Sequence, residues 1–321
     1  MNASRKYSEL LADKSQVLFI YAFLIVLMIV AEAMNKLFIT GANLTNLVTA
    51  SLPYILVSFG QTTVILSAGI DLSVGATVCL ANVICATMMT NGSGGFWPGL
   101  SIAAASGALV GLANGVIITK GRIQPIIATL ATQSMVLGLA LLILPAPGGS
   151  VNTGFAAALS GMLFGWLPVP LLIGIIVTVI IWITLNRTRF GNAIFAVGGN
   201  EAAAFSAGIN VARQKTSVYF ISGLLSAFAG IFLASQMYSG DPTVGVVGVG
   251  FTMNSIATAV VGGTSLAGGK GGVIGSVAGV FILMIINNLL NLVGVSSFYQ
   301  YVLQGAILIL ALTVSSIRAK R

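Results

Sequence analysis

Residues 186–216 read NRTRFGNAIFAVGGNEAAAFSAGINVARQKT. This is the longest stretch of the chain that a bilayer could not hold, because Arg187, Arg189, Glu201, Arg213 and Lys215 stand in it between two long apolar runs. It reads as a cytoplasmic handle by which another protein would drive this one. Within it a short helix is expected: Asn200 is placed to cap it, Glu201 sits in its positive first turn, Ala202 and Ala203 propagate it, and Gly208 ends it. On periodicity alone a solvated loop between two spans fits equally well.

Working outward, composition decides the class. Of 321 residues 57% are hydrophobic and 6% charged, against roughly 25% charged in soluble domains, so the chain cannot cover a surface that faces water. The apolar runs are near span length and lack the alternation of a membrane barrel, so the spans should be helices, which satisfy their own backbone in lipid. The net charge of +8 is dispersed in small groups at span ends, which is a topology signal and excludes a nucleic-acid footprint.

Several chemistries drop out. The chain has no histidine, and Cys79 and Cys85 lie about 9 Å apart in rise and on opposed faces of one expected helix, which forbids a disulfide between them. Metal catalysis and Cys/His nucleophile pairs are excluded on the same grounds, and an intramembrane enzyme lacks a nucleophile and base pair.

Taken in order, residues 1–16 form a polar arm, followed by a retained first span from 17 to 34 and a polar connection at 35–46. The second span (48–68) carries Gln61, Thr62 and Thr63, more polar atoms than a lipid-facing helix should hold. It ends at GIDLSVG (69–75), where Gly69 and Gly75 free the backbone and Asp71 and Ser73 are expected to cap the next helix, at 76–90. A glycine-rich loop (91–95) leads to the fourth span (96–119), in which Gly107, Gly111 and Gly115 make a flat face for a neighbouring backbone. A basic turn at Lys120 and Arg122 precedes the fifth span (125–144). An uncharged outer loop (145–163) holding a shallow helix precedes the sixth span (164–185).

Beyond the handle, the seventh span (217–237) stops at GDPTVG (240–245). The eighth (251–261) is short for a bilayer, and GGTSLAGGKG (262–271) follows. Its Gly262, Gly263, Thr264 and Lys270 resemble a Walker A loop only superficially: Gly271 stands where Ser or Thr should bind magnesium, and no soluble strand precedes it. The ninth span (273–293) carries Asn287, Asn288 and Asn291, and the tenth (299–317) ends in a basic tail at 318–321.

The expected architecture is therefore an all-α polytopic membrane protein. It has about ten transmembrane helices in one membrane domain (17–317), the handle (186–216) and both termini being cytoplasmic. All but Lys36 of the 14 basic residues then fall on the cytoplasmic side, as the positive-inside rule requires. GIDLSVG and GDPTVG recur five spans apart, which suits an inverted five-plus-five pseudo-repeat.

GIDLSVG at 69–75, GGNEAA at 198–203 with GIN at 208–210, GGTSLAGGKG at 262–271 and GVSSFYQ at 294–300 together resemble the permease subunit of bacterial monosaccharide ABC importers of the ribose, xylose and galactose type. The resemblance covers nearly the whole chain. It implies an inner-membrane permease paired with a second copy or a paralogue, a separate cytoplasmic ABC ATPase that binds the ATP and magnesium, and a periplasmic sugar-binding protein. No cofactor is then expected in this chain. In such permeases a short cytoplasmic helix marked Glu-Ala-Ala and a later glycine docks on the ATPase. Glu201, Ala202, Ala203 and Gly208 match that motif, with one residue more before the glycine than its commonest form.

A neutral sugar needs amide and hydroxyl contacts and no counter-ion, and Gln61, Asn254, Asn287 and Asn288 are the candidates to line its path. The competing reading is a self-sufficient secondary transporter or facilitator. It is favoured by the pseudo-repeat, but it has no use for the handle, and Asp71 is the only acidic residue that it could call on near membrane depth.

Overall fold

The computed structural model describes residues 3–89, 96–245 and 250–296, with 299, 300, 302, 303, 305, 306 and 309. The expected loop at 91–95, part of the GVSSFYQ motif, most of the tenth span and the basic tail lie outside the described residues. Among those described there are 12 helices and one hairpin. The first five helices are α1 (Ala3–Met34), α2 (Gly41–Leu66), α3 (Val74–Met88), α4 (Phe96–Gly121) and α5 (Pro125–Ile143). A short α6 (Thr153–Ser160) precedes the antiparallel strands β1 (Met162–Leu163) and β2 (Leu167–Pro168). Then come α7 (Val169–Arg187), α8 (Arg189–Gly199), α9 (Glu201–Ser206), α10 (Val211–Met237), α11 (Gly250–Val261) and α12 (Val273–Leu292).

Among the described residues, seven helices are long and apolar enough to cross a membrane: α1 from Val17, α2, α4 from Trp97, α5, α7, α10 and α12. The other two apolar helices are shorter. At 15 and 12 residues, α3 and α11 are about 22 and 18 Å long, well under the ~30 Å of a hydrocarbon core. The expected third span is thus a half-helix, because α2 uses its full length before GIDLSVG and the chain must climb back before α3 can begin.

Other boundaries also move. α2 starts at Gly41 instead of 48, since Asn43, read as connection, pairs inside the bundle with Asn288. The sixth span starts at Val169, because residues 162–168 turn back on themselves at Phe164 and Gly165, both with positive φ. The handle is more helical than expected: besides the short helix foreseen at Glu201 it holds α8, which buries Gly191, Ile194, Val197 and Gly198 along one face. Arg213 and Lys215 belong to the first turns of α10.

α2 and α10 are the most buried of the seven spans and α1 and α7 the least. The bundle is therefore built around the α2–α10 pair, with α3, α4, α11 and α12 packed on it. α1, α5 and α7 turn Phe19, Ile29, Leu142 and Ile180 outward, as lipid contact requires. The two ends of the bundle differ in charge. Arg122 and Lys215 line one cavity with α9, Lys120 is in the last turn of α4, Arg189 and Arg213 lie on α8 and α10, which flank α9, and Arg187 ends α7 just before α8. Lys36 is at the opposite end, beside Asn35, whose amide donates to Leu292 O.

Glycine lets the central helices touch backbone to backbone. A Cβ on Gly107 or Gly111 of α4 would fall on the Gly223 or Tyr219 carbonyl oxygen of α10, and one on Gly115 would come within 2.6 Å of Thr216 Cα. Gly275 and Gly279 of α12 meet Gly262 and Thr258 in the same way. The stripe foreseen in α4 is thus a packing face. Gly111→Ala should destabilise the protein by on the order of 1–3 kcal/mol through overpacking, whereas Gly138→Ala, where a Cβ meets nothing within 4 Å, should not. Thermal unfolding of the two variants in detergent checks the contrast.

Candidate functional site

The centre of the bundle is a junction of broken helices. Asp71 is fully buried and accepts three hydrogen bonds: from Ser73 N at 3.0 Å and Ser73 Oγ at 2.6 Å, both on Oδ1, and from Ser222 Oγ at 2.8 Å on Oδ2. Ser222 is near the middle of α10, so the carboxylate lies at mid-depth of a spanning helix. Asn114 Nδ2 of α4 donates to Ser73 Oγ at 2.8 Å. Thr129 Oγ1 of α5 accepts from Leu72 N, and Thr252 Oγ1 of α11 accepts from Gly75 N. The capping role expected for Asp71 and Ser73 does not hold. Ser73 occupies the N-cap position of α3 with no side-chain bond to the helix, and Asp71 instead closes the turn before it and ties that turn to α10.

GDPTVG repeats this local geometry. Thr243 N and Thr243 Oγ1 both donate to Asp241 Oδ1 at 2.8 Å, as Ser73 does to Asp71, and Asn82 Oδ1 of α3 accepts from Asp241 N. The two turns meet: a Cβ on Gly75 would fall on the Gly245 carbonyl oxygen, and one on Gly245 on that of Gly75. Gly245 N also donates to Cys79 Sγ at 3.2 Å. Two turns of the same D-x-[S/T]-V-G form thus abut, with α3 leaving one toward one end of the bundle and α11 running from beside the other toward the opposite end.

The candidate path residues do not converge. Gln61 is fully buried in α2, and neither of its amide atoms has a hydrogen-bond partner among the described residues. Asn254 is buried in α11. Asn288 exchanges two amide bonds with Asn43, at 3.0 and 2.8 Å, about 27 Å of helical rise from Gln61. Asn287 is half-buried one residue before it. These residues mark a polar line along α2 more than one pocket. On the same line, Ser58 shares a hydrogen bond with Thr258, and Thr62 bonds Ser276 at 2.7 Å.

The handle is a second site, at the basic end. Asn200 Oδ1 accepts from Ala203 N at 2.9 Å, which caps α9. Gly208, at φ +82°, closes it: Gly208 N donates to Phe205 O and Ile209 N to Ala204 O, a Schellman ending. Phe205 is 72% exposed. Glu201 pairs with Lys215 of α10. Between α9 and the α4–α5 turn lies a cavity of about 980 Å³ lined by Arg122, Ile123, Glu201, Phe205 and Lys215 among others. The glycine-rich loop sits beside this face: Ser265 N donates to Lys270 O, Gly262 packs on Gly275 of α12, and Thr264 is buried while Lys270 is exposed. Sequence reasoning missed Asn114, Ser222, Thr252 and α8. Asn114 and Ser222 stand in largely apolar runs and Thr252 stands beside Asn254 and Ser255, so only the partner that the fold brings to each reveals its role.

Comparison with known proteins supplies the family. The family model described as branched-chain amino acid transport system / permease component matches residues 43–312. The ribose import permease protein RbsC of Bacillus subtilis (strain 168) is 42% identical over 293 residues, which cover 90% of this chain and 89% of that protein. RbsC of Escherichia coli (strain K12) is 38% identical over 301 residues, 91% of each chain. The galactose/methyl galactoside import permease protein MglC of the same strain is 34% identical over 320 residues, 94% of each. No solved structure matches the chain. A match across most of the spans, shared with these full-length relatives, means that the chain belongs to the branched-chain amino acid transport system / permease component family.

Proposed function

We propose that the chain is the membrane-spanning permease subunit of an ATP-driven importer for a small neutral sugar. The observation that carries this reading is full-length similarity to permeases named for ribose and for galactose import. Those relatives, more than the amino acids in the family description, indicate the cargo. The interior agrees with an uncharged solute: the polar line along α2 consists of Ser58, Gln61, Thr62 and their hydroxyl or amide neighbours, which exchange hydrogen bonds with sugar hydroxyls without needing a counter-ion.

In this reading α9 is the coupling helix. ATP and magnesium bind to a separate cytoplasmic ATPase, the basic end of the bundle is cytoplasmic by the positive-inside rule, and both termini lie on that side of the inner membrane. A second permease copy or a paralogue completes the path, and a periplasmic binding protein delivers the sugar. The reciprocal contact of Gly75 with Gly245, with matching Asp71 and Asp241 turns, supports an inverted five-plus-five repeat with its pseudo-axis between them. ATP-driven closure would rock the two halves about that axis. A facilitator working alone would leave α9 with no task.

Proteoliposomes test this directly. Sugar uptake should require the ATPase, ATP and the binding protein, and uptake by the permease alone would overturn the reading. A panel of pentoses and hexoses offered to the binding protein then names the cargo. Glu201→Lys or Gly208→Trp should abolish sugar-stimulated ATP hydrolysis while leaving the amount of permease in the membrane unchanged, as read by ATPase assay and immunoblot. Asp71→Ala should abolish folding or transport, because three buried donors lose their acceptor at about 1–3 kcal/mol or more. Asp71→Asn, which keeps Oδ1 as an acceptor, should retain most of both. Uptake and size-exclusion profiles of the two variants separate these outcomes.

A further inference from the structure

Besides the buried Ala204 and the chain that leads on into α10, two contacts tie α9 to its neighbours. One is the Glu201–Lys215 ion pair, on a carboxylate that is 57% exposed, a contact of the kind that holds little. The other runs through Asn200, whose N–H donates to Ala196 O of α8 while its side chain caps α9, so that the two helices form one corner. That corner ends on bare backbone. Gly198 is buried, and a Cβ there would fall on the carbonyl oxygen of Leu66, the last residue of α2, and lie 2.8 Å from Gly269 N. Gly269 N itself donates to Leu66 O at 3.0 Å. From the other side, a Cβ on Gly268 would come within 2.8 Å of Gly198 O and 2.9 Å of Ala68 Cβ. Gly268 and Gly269 hold φ of +84° and +70°, open to glycine at no steric cost.

Three segments therefore meet backbone to backbone, with only the Ala68 methyl beside them: the end of α2, the α8–α9 corner, and the turn from α11 to α12. We propose that this glycine joint delivers displacement of α9 to α2 and to the α11–α12 turn, with Gly198, Gly268 and Gly269 as positioning residues. Side chains can absorb a push by changing rotamer. Backbones in direct contact cannot, so a shift of the corner must move Leu66 or the loop or both. α2 carries the shift inward, since Gly60 lies against Ser222, the residue that holds Asp71, and Ser58 and Thr62 are bonded to α11 and α12. This also gives GGTSLAGGKG a role: it is a seat for the corner.

The inference rests on the reading of α9 as the coupling helix, and the test separates the two. The variants Gly198→Ala, Gly268→Ala and Gly199→Ala are made in the full transporter, co-expressed with its ATPase and binding protein. Gly199 is the internal control, because it is exposed and a Cβ on it meets nothing within 4 Å. Three quantities are read: co-purification of the ATPase, the ratio of binding-protein-stimulated to basal ATP hydrolysis, and sugar uptake.

Gly198→Ala and Gly268→Ala should co-purify with the ATPase at native yield and hydrolyse ATP at the basal rate. They should lose the stimulation and show uptake roughly tenfold lower, with Gly199→Ala behaving as the native protein. A native stimulation ratio in Gly198→Ala overturns the joint, and so does a well-folded Gly198→Ala that no longer co-purifies with the ATPase, which would place Gly198 in docking. If Gly198→Ala fails to fold, the loop variant Gly268→Ala decides by the same ratio. Failure of the underlying reading looks different: Phe205→Asp and Glu201→Lys would then leave both co-purification and uptake intact.

Discussion

Every N–H and C=O group that leaves a helix inside a membrane must find a partner within the protein, because hydrocarbon offers none and an unmet group costs several kcal/mol. The centre of this bundle holds two such departures, at 67–73 and at 241–245, and much of its organisation answers them. Asp71 and Asp241 each gather the backbone of their own turn and a hydroxyl two residues on. Thr129 and Thr252 take up the N–H groups of Leu72 and Gly75, and Asn82 takes that of Asp241. A carboxylate serves here as a compact acceptor that several donors can share, which is why an otherwise uncharged core tolerates it.

Glycine has a complementary role. Where the turns at 69–75 and 240–245 meet, and where α4 crosses α10, carbonyl oxygens occupy the places that side chains would take. The α2–α10 pair can then sit at the middle of the bundle with four helices against it. The same device recurs at the basic end, where the α8–α9 corner, the end of α2 and the loop before α12 touch. The three regions singled out by their glycines are thus places where backbones meet, and they connect the handle to the centre through α2.

Much of this was legible in the sequence, and the reasons are local. The class followed from charge content, and the caps of α9 followed from Asn200 and Gly208, whose preferences act within one turn. The starts of α5 at Pro125 and of α12 after Gly272 were equally local. What could not be read depends on contacts between distant residues. Ser222 lies 151 positions from Asp71, so Asp71 looked like a helix cap until its partner was in view. α8 is hidden in the sequence because its apolar face is short, and α2 begins early because Asn43 finds Asn288, 245 positions away. The path residues were chosen by chemical type alone. The fold spreads them along α2 and its neighbours, since amides in lipid-buried helices serve helix pairing as readily as passage.

The hydroxyl pairs on α2 have a consequence of their own. Ser58 with Thr258, and Thr62 with Ser276, join neighbouring helices through groups that can each give or accept a proton. Were α2 to slide against α11 and α12, Thr258 and Ser276 would still have the backbone oxygens of Ser255 and Gly272 in reach, so a small slip would trade one bond for another and leave those hydroxyls bonded. The reciprocal amide pair of Asn43 with Asn288 resists such a slip, and it stands at the far end of α2 from the handle. The inner half of the spine is in this sense lubricated and its outer end pinned.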